Sequence, residues 1–210
     1  MWSSSSPSSS QAGPLGRAFY DRDPVTVARD LLGAVLVHET ATGDTIAGRI
    51  VETEAYWGEA DLACHAARGR TPRTATMYGP PGHAYVYLIY GMHDMLNAVV
   101  GAEGDPSAVL IRAVAPIVGI ARPTNGPGRV TRAFGITRSL NGADLTTGNT
   151  RIVPGDSPQH IGVSPRIGVD YAGEWAARPW RFFDADSPHV SGPPKAKPGV
   201  SSPDEVPSSV

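Results

Sequence analysis

The clearest polar and apolar alternation in the chain lies in residues 50–56, IVETEAY, where Glu52, Glu54 and Tyr56 share one parity and Val51, Thr53 and Ala55 the other. A period of two is that of a β-strand, so two carboxylates and a phenol are expected to line one face. The strand extends back to Ile46, and the run AVLVHE (34–39) precedes it across the turn-like TATGDT, which predicts a hairpin. A second hairpin is expected from HAYVYLIYG (83–91) and LNAVV (96–100), folded around Gly91 to Asp94, and SAVLIRAV (107–114) adds a further strand. Helical signals are fewer. DPVTVARDLLG offers Asp23 as N-cap, Pro24 at the first helical position and Gly33 as the stop. DLACHAARG suggests one or two helical turns, and RVTRAFGI opens a helix after Asn125-Gly126-Pro127-Gly128. RIGVDY and PWRFF close the fold. Strands joined mainly by short turns, with helices packed around them, predict an α+β fold with a mainly antiparallel sheet, flanking short helices and a protruding hairpin, not a βαβ series.

Composition bounds this picture. A chain of 210 residues with 40% hydrophobic content can bury one sizeable core, so a single compact domain is expected. Its ends are different: residues 1–13 and 191–210 are rich in Ser, Pro and Gly and are expected to be disordered tails around a folded domain at 14–190. The start carries neither a basic n-region nor an apolar h-region, and no stretch has the length to cross a bilayer, so a cytoplasmic protein is expected. One cysteine, Cys64, excludes an internal disulfide and any multi-cysteine zinc site, and suits a small buried hydrophobe.

The net charge of −2 hides two arginine windows. No acidic residue stands between Leu62 and His93, where Arg68, Arg70 and Arg73 give +3, nor between Pro106 and Ala143, where Arg112, Arg122, Arg129, Arg132 and Arg138 give +5. Such windows in an acidic chain fit a polyanionic partner.

The chemistry-bearing residues begin with the acidic strand. Glu52 and Glu54 lie about 6.6 Å apart at roughly 3.3 Å per residue. That spacing suits a glycoside-hydrolase acid and base, or simply a solvated sheet face. Tyr56 and Trp57 speak for a cleft, since large rings seldom decorate an idle strand end. In the second hairpin, Tyr85, Tyr87 and Ile89 share a face, and Tyr90 stands before Gly91 at the tip, placed to act as a wedge between stacked bases. Cys64, His65, His83 and His93 match no standard metal spacing, so no metal and no cofactor are expected. The only lysines, Lys195 and Lys197, fall in the expected tail, which leaves no Schiff-base nucleophile within the domain.

Together, RIVETEAYWG, His65, TPRTATMYGPPGHAYVYLIYGM, Leu96-Asn97, SAVLIRAV, RPTNGPGRVTRAFGI and RIGVDYAGEWAARPWRFF closely resemble the alkyladenine (3-methyladenine) DNA glycosylase family, from about Arg29 to Phe183. The resemblance implies a monofunctional DNA glycosylase that flips alkylated or deaminated purines out of double-stranded DNA and excises them by water attack at C1′, acting as a monomer without a cofactor. It implies Glu54 as general base on that water and Arg112 as the group that helps hold it. Tyr56, His65 and Tyr87 would line and stack on the flipped base, and Tyr90 would intercalate. Asn97 would clash with the 2-amino group of guanine, and Val169 corresponds to a backbone carbonyl near the water. Two other readings stand beside it: a carbohydrate hydrolase using Glu52 with Glu54, and a damage-recognition protein without catalysis.

Overall fold

The computed structural model describes residues 13–192. Eight strands form one antiparallel sheet: β1 Val35–Glu39, β2 Thr45–Tyr56, β3 Ala84–Ile89, β4 His93–Val100, β5 Ser107–Val118, β6 Thr150–Val153, β7 Ile161–Ser164 and β8 Arg181–Asp184. The order is β3-β4-β5-β2-β1-β6, with β8 paired to β2 and β7 to β8. The long central strand β2 therefore divides one of its edges, giving residues 45–49 to β1 and 52–54 to β8, while β5 runs along the other edge. Among the described residues, three short α-helices, α1 Arg17–Tyr20, α2 Pro24–Asp30 and α3 Pro127–Phe134, complete the α+β fold. None of them is long and apolar enough to cross a membrane.

Local sequence explains the helix that fixes the sheet. Asp23 caps α2 by accepting the Thr26 N–H at 2.8 Å, with Pro24 at the first position. Gly33 ends the segment at φ +89°, where a Cβ would lie 2.1 Å from the Asp156 carbonyl oxygen, so only glycine fits. Val27, Ala28 and Leu31 bury themselves in the main core, each large apolar side chain contributing about 1.5–3 kcal/mol. The Thr53 hydroxyl ties β2 to this helix by donating to the Ala28 carbonyl at 2.7 Å.

One irregularity in β2 governs the rest. Ile50 pairs with Val114, Glu52 with Ala113 and Thr53 with Ile111, so the register slips and slips back, leaving Val51 and Arg112 without direct partners. Bulges of this kind re-aim side chains. Ile50 and Ala55, of opposite parity, both enter the main core. Glu52, Glu54 and Tyr56 turn to the other face, where Arg112 meets them. A smaller cluster of Cys64, Ala66, Met77, Tyr85, Val99 and Ala108 builds the ground beside it, with Tyr56 and Tyr87 at its margin.

Both expected hairpins are present, β1 with β2 and β3 with β4. Differences concern extents: β4 starts at His93 rather than Leu96, and β5 continues to Val118. RIGVDY leads into a 3₁₀ segment, Asp170–Ala177, and the strand that pairs with PWRFF is Ile161–Ser164. The expected tails lie outside the described residues except at Gly13 and at Ser191–Gly192, where Ser191 is buried.

Candidate active site

Burial settles what the alternation left open. Glu52 and Glu54 are both 0% exposed, so the acidic face of β2 is not a solvated sheet surface. Burying a carboxylate is tolerable only when it is paired and fully hydrogen-bonded. Glu54 meets that condition with three donors: Arg112 Nη1 at 3.2 Å and the Tyr56 hydroxyl at 2.9 Å to Oε2, and the Ile167 backbone N–H at 2.7 Å to Oε1. Glu52 accepts from Arg112 Nε at 2.9 Å and Arg181 Nε at 2.7 Å, both to Oε1. Burial alone would raise the Glu52 carboxyl, but Arg112, Arg181 and the Ser191 N–H together hold it below the usual carboxylate range. Alongside, the fully buried Asp61 forms an ion pair with Arg166, whose guanidinium also donates to the Ala55 and Trp175 carbonyls.

In front of Glu54 lies a cavity of about 280 Å³. That is slightly below the range of drug-sized ligand pockets, roughly 300–1,000 Å³, and suits a ligand of one small ring system. Tyr56, His65, Tyr87, Tyr90, Asn97, Arg112 and Val169 all line it. Glu54 itself does not reach the wall, but the three groups that bind its carboxylate, on Tyr56, Arg112 and Ile167, do.

The walls are aromatic and electrically tuned. His65 meets Tyr87 edge to face at 4.3 Å between centroids, and Tyr87 lies 5.4 Å from Tyr85. Burial, helped by Arg73, pushes the His65 imidazole down to about 4, so it is neutral near pH 7, with Nδ1 3.0 Å from the Tyr85 hydroxyl. Burial and the neighbouring Glu54 push the Tyr56 phenol well above its usual range, which keeps the hydroxyl proton in place. Two of the wall rings already carry a cation: Arg166 lies 4.8 Å from the Tyr56 centroid and Arg73 5.3 Å from that of Tyr87. The buried Asn97 amide donates to the Tyr85 carbonyl at 3.0 Å, and the Val169 carbonyl accepts from the Ala172 N–H at 2.9 Å.

At the hairpin tip, Tyr90 is 84% exposed and has φ +52°, the only positive φ outside glycine among the described residues. With Gly91 at φ +70° and the Met92 N–H bonded to the Ile89 carbonyl, the turn has positive φ at both central positions, the pattern of a type I′ turn. A tyrosine there costs roughly 1–2 kcal/mol. The left-handed backbone also explains why Tyr90 lines the same cavity as Tyr85, Tyr87 and Ile89, against the strand parity that put it on the opposite face.

Several site groups escaped the sequence pattern. Tyr171, 71% exposed, lines the cavity mouth and donates its hydroxyl to the Ala63 carbonyl at 3.3 Å. Ile167 acts through its backbone, which leaves no side-chain signature. Arg112, which lies in the second arginine window, is buried against the two glutamates, whereas Arg68, Arg70, Arg73, Arg122, Arg129, Arg132 and Arg138 are exposed. Among the described residues, no three His, Cys, Asp or Glu side chains gather as metal ligands would.

Comparison with known proteins agrees with the geometry. The family model for Methylpurine-DNA glycosylase (MPG) matches residues 18–188. A relative from Myxococcus xanthus is 54% identical over 188 residues, covering 87% of this chain and 96% of its own. One from Methanocella arvoryzae is 53% identical over 191 residues, covering 84% and 95%. A third, from Legionella pneumophila, is 49% identical over 179 residues, covering 84% and 97%, and all three are provisionally named 3-methyladenine DNA glycosylase. With the match running through every element that builds the cavity, the chain belongs to the methylpurine-DNA glycosylase family and is a DNA glycosylase, a hydrolase of N-glycosidic bonds.

Proposed function

We propose that this chain extrudes an alkylated or deaminated purine from duplex DNA and hydrolyses its bond to deoxyribose with a water activated by Glu54, leaving an abasic site and an uncut strand. The observation that carries the reading is the buried Glu54 carboxylate held by Tyr56, Arg112 and Ile167 behind an aromatic cavity. A carboxylate offers about four lone-pair positions. Three are filled here, which leaves one on Oε1 for a single water; because the carboxylate is fully buried behind the cavity wall, that wall must part towards Glu54 as the nucleotide enters. As that water attacks C1′, Glu54 takes its proton, while the negative charge stabilises the positive charge growing on the sugar.

Delivery of the nucleotide follows from the tip. A base within a duplex must be rotated out at a cost of a few kcal/mol, and Tyr90 offsets part of it by filling the vacancy. Exposed arginines hold the flanking phosphates, so affinity falls steeply with salt. The extruded purine stacks between Tyr56, Tyr87 and the neutral His65, while Asn97 screens the 2-amino position. Because Arg166 and Arg73 already occupy ring faces of Tyr56 and Tyr87, the attraction of those rings for a cationic base is weakened. Stacking and shape then carry more of the selection, which favours neutral hypoxanthine alongside charged 3-methyladenine and 7-methylguanine. One chain supplies every group named, so the working unit is a monomer.

The carbohydrate-hydrolase reading loses support at Glu52, whose carboxylate is taken up by two arginines and by Ser191 and has no acceptor position left for a water. The test is single-turnover release of free base from duplexes carrying 3-methyladenine, 7-methylguanine, hypoxanthine or ethenoadenine. Free base with an intact strand is expected; binding without release across all four supports a recognition protein and overturns the proposal.

A further inference from the structure

Glu52 lies behind the reaction centre, yet four donors converge on it. Besides Arg112 Nε and Arg181 Nε, its carboxylate accepts the Ser191 hydroxyl at 2.7 Å and the Ser191 backbone N–H. The same hydroxyl accepts from Arg112 Nη2 at 3.2 Å, and the Ser191 carbonyl accepts from Arg181 Nη2 at 3.0 Å. Ser191 is 5% exposed and separated from Arg112 by 79 residues in sequence. The end of the described chain is thus drawn back under the centre of the sheet.

All three nitrogens of the Arg112 guanidinium are committed by this arrangement: Nε to Glu52, Nη2 to Ser191 and Nη1 to Glu54. A guanidinium is a rigid planar fork, so fixing two of its corners fixes the third. The corner that remains is the one that faces the general base. Were Nε and Nη2 released, the plate could rotate to grip Glu54 through two nitrogens and take the lone pair that the water needs.

We propose that Ser191, acting with Glu52 and Arg181, is a positioning residue for the glycosylase reaction: its hydroxyl locks the Arg112 guanidinium in the one orientation that leaves Glu54 an open acceptor site. This rests on the reading of Glu54 as general base. The residue touches neither cavity nor substrate. Its hydroxyl is separable from its structural bonds, because the Ser191 N–H and carbonyl contacts to Glu52 and Arg181 are made by the backbone and survive substitution.

The experiment is a double-mutant cycle on the full chain, using a hypoxanthine duplex under single-turnover conditions. Ser191→Ala is expected to slow base release roughly 10- to 100-fold, the size of effect produced by misplacing a catalytic group by about 1 Å. Affinity for a duplex carrying a tetrahydrofuran abasic analogue is expected to stay at the wild-type value, while the melting temperature falls slightly, because the buried Arg112 Nη2 and Glu52 each lose one hydrogen-bond partner. In an Arg112→Ala background, Ser191→Ala is expected to cost nothing further, since the group it positions is gone. A wild-type rate in Ser191→Ala overturns the proposal, and so does an equal slowing with and without Arg112. The Arg112 Nε–H resonance, followed by nitrogen-15 NMR, separates this from the functional reading. If wild-type protein releases no base from any lesion, the functional reading alone fails. The resonance then decides the positioning: faster proton exchange in Ser191→Ala upholds it, and unchanged exchange overturns it.

Discussion

The two sides of the cavity are built on opposite terms. Around the middle of β2, three carboxylates, on Glu52, Glu54 and Asp61, and three guanidinium groups, on Arg112, Arg166 and Arg181, are packed below 9% exposure and matched charge for charge. At the tip of the β3–β4 hairpin, Tyr90 and Met92 stand 84% and 67% exposed on a turn with left-handed tyrosine backbone. The first region is costly to assemble and rigid once assembled, as a group that must hold one water in place has to be. The second gives the free protein almost nothing and stores backbone strain, which fits the wedge role proposed for Tyr90. On the proposed reading, stability is concentrated where the chemistry is done, and exposure where the substrate is opened.

That contrast can be broken most severely at Asp61. Asp61→Ala leaves the Arg166 charge buried without its partner, and unfolding free energy is expected to drop by about 3–5 kcal/mol in urea titration. A loss below about 1 kcal/mol would mean that the buried cluster does not hold this side of the cavity together. Tyr90→Ala has the opposite signature. Base release is expected to slow by the equivalent of about 1–3 kcal/mol, the worth of one base stacked on an aromatic ring. Stability should move by less than about 0.5 kcal/mol. Equal losses in melting temperature and rate would show that the tip is structural after all.

A smaller effect sharpens the comparison through pH. The His65 imidazole titrates at about 4 when folded against 6.5 ordinarily, because burial and Arg73 disfavour its charge. As pH falls from 6.5 towards 4, the unfolded chain takes up a proton that the folded chain refuses, so stability present in full above pH 6.5 is progressively lost. His38, also lowered by burial, contributes with the same sign. Denaturation at stepped pH is expected to give a flatter acid limb in His65→Gln than in the wild type. Identical limbs would place His65 in an open environment.

How much of this was legible in the sequence depends on the range of the interaction. The Asp23 cap, the two hairpins, the exposed tip and the shared face of Glu52, Glu54 and Tyr56 all follow from residues within a few positions of one another. The four-residue strands β6 and β7 are too short to show a period, and they pair because β1 and β8 offer edges. Most of the buried charge cluster is long-range: Arg112 meets Glu54 across 58 residues and Arg181 meets Glu52 across 129. No local pattern could show that Glu52 sits behind the centre and Glu54 at it. The register slip at Val51 and Arg112 decides this, and a slip appears only when both strands are paired. The resemblance to the glycosylase family supplied candidate roles for the cavity residues. It said nothing of Ser191, which composition had assigned to a tail.

The most direct measurement of the central claim is the single-turnover rate of hypoxanthine release by Glu54→Gln, set beside its affinity for the same duplex. Glutamine fills nearly the same space but cannot take the water's proton, so a loss of about 10²–10⁴-fold in rate with affinity retained is predicted. A variant that releases base at the wild-type rate would contradict the account.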